Sequence, residues 1–180
     1  MGGVEDHTRV TQDYLKVIWS AVEWGDPPIT TKGLADRFGT TQANVSETLR
    51  RLHARSLVIY QPYRPVTLTS RGEQLALQMV RRHRLIETFL TETLGYAWDE
   101  VHDEAERLEH SVSDKLVDRI DTLLGRPEAD PHGDPIPAAD GTRRHVPDVL
   151  QLSEAPPGRY RVVRVADDDP TRLVRLKATA

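Results

Sequence analysis

Positions 101–110 read VHDEAERLEH, a stretch that holds four acids and two histidines. Its apolar residues Val101, Ala105 and Leu108 recur every third or fourth position, which predicts a helix with one side on a core. Carboxylates and imidazoles beside a core need a partner, because buried charge has to be paired or coordinated. The side chains next to the apolar side form a second stripe, made of His102, Glu106, Glu109 and His110.

The preceding helical stretch offers the same chemistry. His83 and Glu87 are four residues apart, so they share one face of a helix. Alone, this pair favours a salt bridge or a solvated face. Together with the stripe at 101–110, it favours a divalent-metal site built from oxygen and imidazole. The chain has no cysteine, which excludes thiolate ligands. The remaining histidines lack such spacing and are expected to be ordinary surface residues: His7, His53, His132 and His145.

The first 72 residues have the pattern of a winged helix-turn-helix. Helices are predicted at 11–25, 32–38 and 42–52, followed by a strand, a proline-marked turn and a strand over 57–70. In this fold the second helix of the motif enters the DNA major groove. Residues 41–72 carry five arginines and one acid, which favours DNA over a role in protein docking alone. The candidate DNA contacts are Thr41, Gln42, Asn44, Ser46, Arg50 and, at the wing tip, Arg64.

The next part of the chain is predicted to be helical. Ser70 and Glu73 have the spacing of a capping box, which opens a long helix that Gly95 ends. The helix at 101–110 follows, and another is predicted over 114–125.

The last part of the chain is poor in helix signals. Residues 126–145 have the repeated proline and glycine of a linker, and RYRVVRV at 159–165 has strand character.

Charge follows the same divisions. The net charge is +2 for residues 1–72, −9 for 73–140 and +3 for 141–180, within −4 overall. A basic part joined to an acidic part suggests two tasks on one chain. No signal peptide and no apolar run near 18 residues occur, so a cytoplasmic protein without a membrane partner is expected. No HExxH motif, nucleophile elbow or phosphate loop points to an enzyme or to a small-molecule substrate.

Several stretches together resemble the diphtheria-toxin-repressor family of metal-dependent transcription regulators, and within it the manganese-responsive branch. They are QDYLKVIW, VTLTSRG, RRHRLIETFL, VHDEAERLEHSVSDKL and DPHGDPIP, within residues 10–140. The resemblance implies a homodimer formed through the helices after the wing. Loaded with metal, that dimer would bind a palindromic operator and repress metal-uptake genes.

The resemblance also assigns ligands to two metal sites. The residues that match the regulatory site are Asp13, Glu106, Glu109 and His110. Those that match the ancillary site are His83, Glu87 and His102. Family members extend well past position 180 into an SH3-like domain that completes the ancillary site, and the acids nearest to the right place are Asp167, Asp168 and Asp169.

The ligand types imply which metal is sensed. At the positions of Asp13 and Glu106 the iron-responsive branch carries a methionine and a cysteine, whereas this chain has hard carboxylates, which suit Mn²⁺. Fe²⁺ is the other candidate cofactor, and other divalent transition metals are expected to bind in vitro. Lys16 stands where the best-known manganese members have a second carboxylate, which argues against a binuclear site built on that position.

The predicted fold is therefore mainly α. A winged helix-turn-helix (1–72) is followed by a helical metal-binding and dimerisation domain (73–140), a linker and a partial SH3-like β segment (141–180). Two other functions stay open at this point. One is a metal-independent winged-helix regulator whose acidic half binds a small organic ligand or a protein. The other is a metal-buffering or interaction protein without operator specificity.

Overall fold

The computed structural model describes residues 7–144, 149–166 and 170–179, and over them the chain is mainly helical, as predicted. It divides into two compact units, Met1–Val80 and Arg81–Ala180. None of the described helices is long and apolar enough to cross a membrane. The helices are α1 (Arg9–Glu23), α2 (Thr31–Arg37), α3 (Gln42–Ala54), α4 (Ser70–Leu94), α5 (Val101–Leu108), α6 (Asp114–Leu123) and α7 (Pro170–Thr179); the strands are β1 (Val58–Ile59) and β2 (Thr67–Leu68).

The first unit has the predicted order of three helices and a two-stranded wing. Each helix begins where a threonine hydroxyl accepts a hydrogen bond from the backbone N–H three residues later; these caps are Thr8, Thr30 and Thr41. The two strands are antiparallel, with Val58 opposite Leu68. The core of this unit is formed by apolar side chains such as Leu15, Ile18, Leu34, Val45, Leu49 and Leu52.

The wing joins α4 through a close backbone contact. Thr69 Oγ1 donates to Ser56 O at 2.8 Å and accepts from Gly72 N at 3.0 Å. The helix cap is therefore Thr69 rather than the predicted Ser70, because Ser70 is already helical. A Cβ atom at Gly72 would lie 1.9 Å from Leu57 O, so only glycine fits there.

The second unit buries almost the whole circumference of its part of α4. One apolar cluster joins Leu85 to α6 and Ile136, and another joins Ile86 to α5. Consecutive helical residues point about 100° apart, so these two clusters lie on different sides of α4. His83 and Glu87 are buried on the same helix, at 4% and 0% exposure. The folding of α5 and α6 onto α4 thus encloses polar side chains together with the apolar ones.

The predicted linker is in fact an ordered, buried loop over its central residues. Asp130, His132 and Asp134 are each at most 7% exposed, and Ile136 is fully buried. Arg84 Nη1 donates to Pro135 O at 2.8 Å. Proline and glycine exclude a regular ladder of hydrogen bonds, but they do not exclude burial when side chains satisfy the backbone.

The predicted β segment of the tail is not formed in the described residues. Residues 149–166 contain no strand, and Pro170–Thr179 is the helix α7, whose Leu173 is 1% exposed. A strand needs a neighbouring strand to pair its backbone groups, and the described part of this unit offers none. The candidate ligands Asp167, Asp168 and Asp169 lie outside the described residues, as does His145.

Candidate metal centre and nucleic-acid interface

His83 is the centre of a buried cluster of predicted ligands. Its Nε2 lies 3.0 Å from Glu87 Oε1, and its Nδ1 lies 2.7 Å from Glu109 Oε2. His102 Nδ1, on α5, is 3.3 Å from both His83 Nε2 and Glu87 Oε1. Glu106 Oε1 is 3.8 Å from His102 Nε2. The structure therefore brings these five of the seven predicted metal ligands into one polar cluster, and a sixth, His110, joins it through Glu109.

The first candidate ligand set within this cluster consists of His83, His102 and Glu106, whose ligand atoms lie within 4.8 Å of one another. Glu109 and His110 come directly after the end of α5. Glu109 is fully buried, and its Oε1 lies 3.3 Å from His110 Nε2.

Two predicted ligands occupy positions that the sequence pattern did not give. The helix ends at Leu108, so Glu109 and His110 lie in the turn after α5 instead of continuing the helical stripe. Asp13 is half-buried on α1, in the first unit.

A second candidate ligand set includes a histidine that was expected at the surface. His132 is 2% exposed, so that expectation is wrong. Glu87, Asp130 and His132 are all buried, and each offers a ligand atom within 4.8 Å of the other two. The available signal was the acid and histidine two residues apart in DPHGDPIP. Helical spacing could not reveal it, because a loop has no fixed period.

In this second set, one side-chain atom of each residue makes no hydrogen bond to the described residues. His132 Nε2 lies 2.6 Å from Trp98 O, and because a carbonyl only accepts, Nε2 carries a proton; in the neutral imidazole Nδ1 then keeps a lone pair. Metal-bound histidines commonly hold their second nitrogen in this way. Among the described residues, Glu87 Oε2, Asp130 Oδ2 and His132 Nδ1 are buried without a hydrogen-bond partner. Buried polar atoms are costly when unsatisfied, so three of them together fit a bound cation.

Glu87 and Asp130, the two carboxylates of this set, have too little positive charge nearby for both to ionise easily. Burial is the main cause that raises the pKa of Asp130 to about 8, and the charges of Glu87 and Asp134 raise it further while Arg84 opposes them. Burial alone would also raise the pKa of Glu87, but His83 and His102 hold that pKa well below its usual range. At neutral pH the pair therefore retains one proton, which a cation would displace.

The predicted recognition helix, α3, presents polar side chains at its N-terminus. Thr41 caps the helix, with its Oγ1 3.2 Å from Asn44 N, and Asn44 Nδ2 donates to Thr40 Oγ1 at 3.1 Å. Gln42 and Arg50 are exposed, as are Thr41 and Asn44, whereas Ser46 is half-buried. The Thr41 hydroxyl thus serves the helix itself, while the exposed side chains that follow it face solvent.

The wing tip exposes a cation and an aromatic ring. Arg64 is exposed, and its N–H donates to Gln61 O at 3.2 Å, which closes the turn. Tyr63 beside it is fully exposed and has φ +64°, a left-handed conformation that is uncommon for residues other than glycine. Sequence reasoning did not single out Tyr63, because exposure and a positive φ cannot be read from residue types. Such backbone strain often marks functional positions.

A winged helix-turn-helix together with a helical unit rich in buried metal-ligand clusters defines a metal-responsive DNA-binding regulator. Residues 6–66 match the family model of the iron-dependent repressor N-terminal DNA-binding domain. Residues 69–138 match that of the iron-dependent repressor metal binding and dimerisation domain. The chain belongs to this family of iron-dependent repressors, which are transcriptional repressors and not enzymes.

Similar proteins include both iron and manganese regulators. The iron-dependent repressor IdeR of Mycobacterium leprae is 31% identical over 98% of this chain and 81% of its own length. The diphtheria toxin repressor of Corynebacterium jeikeium is 33% identical over 81% of this chain, which spans 60% of that relative. Among solved structures, a manganese-dependent transcriptional repressor in complex with manganese is 51% identical, with a TM-score of 0.88 over 94% of this chain and 78% of that one. ScaR with bound Cd²⁺ is 38% identical, with a TM-score of 0.80 over the same shares.

These findings confirm the predicted resemblance and the class of protein that it implied, a DNA-binding, metal-dependent repressor with a dimerisation domain. The individual metal ligands and DNA contacts stay predictions.

Proposed function

We propose that this chain is a cytoplasmic repressor of metal-uptake genes that binds a palindromic operator as a dimer when loaded with Mn²⁺. The observation that carries the metal requirement is the convergence of Glu87 Oε2, Asp130 Oδ2 and His132 Nδ1, three buried atoms without hydrogen-bond partners in the described structure. Unsatisfied buried polar atoms cost stability, and a cation bound by these three atoms would remove that cost.

The donor atoms fit a cation of intermediate hardness. All candidates supply carboxylate oxygen or imidazole nitrogen, which Mn²⁺ and Fe²⁺ both accept. One set is Glu87, Asp130 and His132, and a neighbouring one is His83, His102 and Glu106. By the family resemblance we assign Asp13, Glu106, Glu109 and His110 to a regulatory set. A bound cation supplies positive charge among carboxylates that belong to a segment of net charge −9.

Manganese is favoured over iron as the physiological signal. Asp13 and Glu106 are both hard carboxylates where the iron branch has sulfur ligands. The similarity to manganese-dependent repressor structures, up to 51% identity, also exceeds the 31–33% found with the iron-dependent relatives described above. Mn²⁺ ranks lowest in intrinsic affinity among these metals, so selectivity must come from which metal activates DNA binding rather than from which binds most tightly.

The proposed DNA surface combines the start of α3 with the wing. Direct base contacts are assigned to amides and hydroxyls at the start of α3, and phosphate contacts to arginines. These residues are Thr41, Gln42, Asn44, Ser46, Arg50 and Arg64. Tyr63 at the wing tip is added to this set, since its exposed ring lies next to Arg64 in sequence and cannot be explained by packing.

The experiment that tests the proposal is a metal titration of DNA binding. DNA duplexes are selected from a random pool with the Mn²⁺-loaded protein, and binding is then measured with Mn²⁺, Fe²⁺ under anaerobic conditions, Zn²⁺ or a chelator. Glu109→Ala and His110→Ala should remain folded dimers that no longer respond to metal. Asp103→Ala is the matched control, because Asp103 is an exposed acid on α5, the helix that precedes these two residues. Equal binding with metal and with chelator would instead indicate a metal-independent regulator.

A double variant tests the choice of metal separately. Asp13→Met with Glu106→Cys replaces the two hard donors by the sulfur donors of the iron branch. We expect a weaker Mn²⁺ response and a retained or stronger Fe²⁺ response, measured anaerobically with the same duplex. An unchanged Mn²⁺ response would show that these two carboxylates do not set the preference.

A further inference from the structure

The segment 163–165 of the tail lies directly against the loop that carries Asp130 and His132. Val165 N donates to His132 O at 2.9 Å. A Cβ atom at Gly133 would lie 2.0 Å from Val163 O, so the two backbones touch at a position where only hydrogen fits. Gly133 also has φ +88°, which favours glycine independently. The segment is thus packed on the loop, backbone to backbone.

Arg164 adds a buried ionic contact to this packing. Its Nε and Nη2 both bind Asp134 Oδ1, and the two side chains are 7% and 5% exposed. Arg84 Nη2 also lies 3.7 Å from Asp134 Oδ1. Without Arg164, the buried Asp134 carboxylate would keep only the more distant Arg84 guanidinium among the ion-pair partners described here. A buried carboxylate that loses its partner is strongly destabilising.

Asp134 in turn is connected to the candidate ligands. Asp130 Oδ1 accepts hydrogen bonds from Asp134 N at 2.9 Å and from His132 N at 2.8 Å. Arg84 Nε lies 3.5 Å from Asp130 Oδ2. The orientation of the Asp130 carboxylate therefore depends on the same turn that Arg164 fixes through Asp134.

We propose that residues 163–165 form a strap that positions Asp130 and His132 for a divalent cation, with Arg164 as its main positioning residue. The inference rests on the proposed metal-binding function and extends it, because it gives the C-terminal segment a role in building the site that is separate from supplying any ligand. Arg164 lies outside the ligand set and acts on it through Asp134 and the turn. Partners that orient metal ligands typically change metal affinity by about 10–100-fold when removed.

The test compares Arg164→Ala with His132→Ala in the full chain, with Mn²⁺ alone as the probe. Mn²⁺ binding is measured by calorimetry and by Mn²⁺ electron paramagnetic resonance. The class of Mn²⁺ sites that His132→Ala loses is the class that belongs to this loop. We expect Arg164→Ala to weaken that same class about 10–100-fold. Arg164→Lys should recover part of the loss, because it keeps the charge but not the two-pronged geometry. Arg161→Ala, which changes an exposed arginine two residues before the strap, is the control and should bind as wild type does.

A metal-free measurement separates failure of the strap from failure of the metal site. Hydrogen exchange of residues 130–136 in the apo protein should be faster in Arg164→Ala than in wild type, whether or not the loop binds metal. Wild-type exchange and wild-type Mn²⁺ affinity in Arg164→Ala would overturn the strap while leaving the metal site intact. If His132→Ala kept every Mn²⁺ site of the wild type, the proposed metal site would be overturned instead.

A second variant covers the case in which Arg164→Ala does not fold. Gly133→Ala changes no charge, but its added methyl group would meet Val163 O, so it should displace the strap and weaken the same class of Mn²⁺ sites by 10-fold or more. Wild-type affinity in a folded Gly133→Ala protein would overturn the proposal.

Discussion

Replacing Asp130 by asparagine is expected to stabilise the metal-free protein while it removes a metal site. The carboxyl is buried close to Glu87 and Asp134, and its pKa is raised to about 8 from an ordinary value of 3.8. Between these two pKa values, the Asp130 carboxyl of the folded state holds a proton that the unfolded chain has lost. Ionising the group therefore costs stability, and asparagine avoids that cost while its Oδ1 can still accept from the amides of His132 and Asp134.

The size of the effect follows from the pKa difference. At about 1.4 kcal/mol per pKa unit, a shift from 3.8 to about 8 corresponds to an upper bound of roughly 5–6 kcal/mol above pH 8. A raised carboxyl pKa gives a penalty that is absent below pH 4, grows as pH rises and is complete once pH passes the folded-state pKa. About half of the penalty, roughly 3 kcal/mol, is already present at pH 6. The remaining increase to pH 8.5 is therefore about 2–3 kcal/mol.

The assay is denaturation of the chelator-treated protein at pH 6 and pH 8.5. Asp130→Asn should be more stable than wild type at both values, with the larger difference at pH 8.5. Added Mn²⁺ should stabilise wild type more than the variant. Asp118→Asn, an exposed acid on α6, is the control and should match wild type throughout. A variant that is no more stable than wild type at pH 8.5, or a difference that does not grow with pH, would refute this reasoning.

Three further predictions concern the DNA-binding unit. Gly72→Ala should lower stability by about 1–3 kcal/mol in thermal denaturation, because its methyl group would overlap Leu57 O; stability equal to wild type would show that the contact can relax. Tyr63→Gly should leave stability unchanged or raise it by up to about 1 kcal/mol, because relief of the left-handed strain offsets the greater freedom of glycine in the unfolded chain. The same variant should bind DNA more weakly, and unchanged DNA binding would remove Tyr63 from the interface. Arg64→Ala should weaken binding to all duplexes and reduce its salt dependence, whereas Gln42→Ala should lose about 1–3 kcal/mol of discrimination at particular bases. If Arg64→Ala changed the sequence preference at constant salt dependence, the assignment of Arg64 to phosphate and Gln42 to bases would be contradicted.

Much of the fold could be predicted because its signals are local. Apolar spacing placed the helices of the first unit, and the structure caps two of them with Thr30 and Thr41. The stripe at 101–110 correctly indicated that His102 and Glu106 face the helix that carries His83.

The rest depends on contacts between distant segments. His132 is a candidate ligand because a loop without regular structure folds onto α4, and no periodic pattern announces that burial. The strand pattern at 159–165 was misleading for a related reason. Apolar alternation reports a residue's preference, but a strand forms only when a partner strand is present, and here the segment packs on the loop through Val165 and Arg164 instead.

The most direct test of the central claim is the affinity of the purified full chain for a duplex selected in Mn²⁺, measured by fluorescence anisotropy with Mn²⁺ and again with chelator at the same ionic strength. If the buried carboxylates and imidazoles of the second unit control DNA binding through a bound cation, Mn²⁺ should tighten binding by about 5- to 150-fold, the usual range for coupled sites. The reciprocal titration should show the duplex tightening Mn²⁺ binding by the same factor. Equal affinity for the duplex with Mn²⁺ and with chelator would contradict the claim.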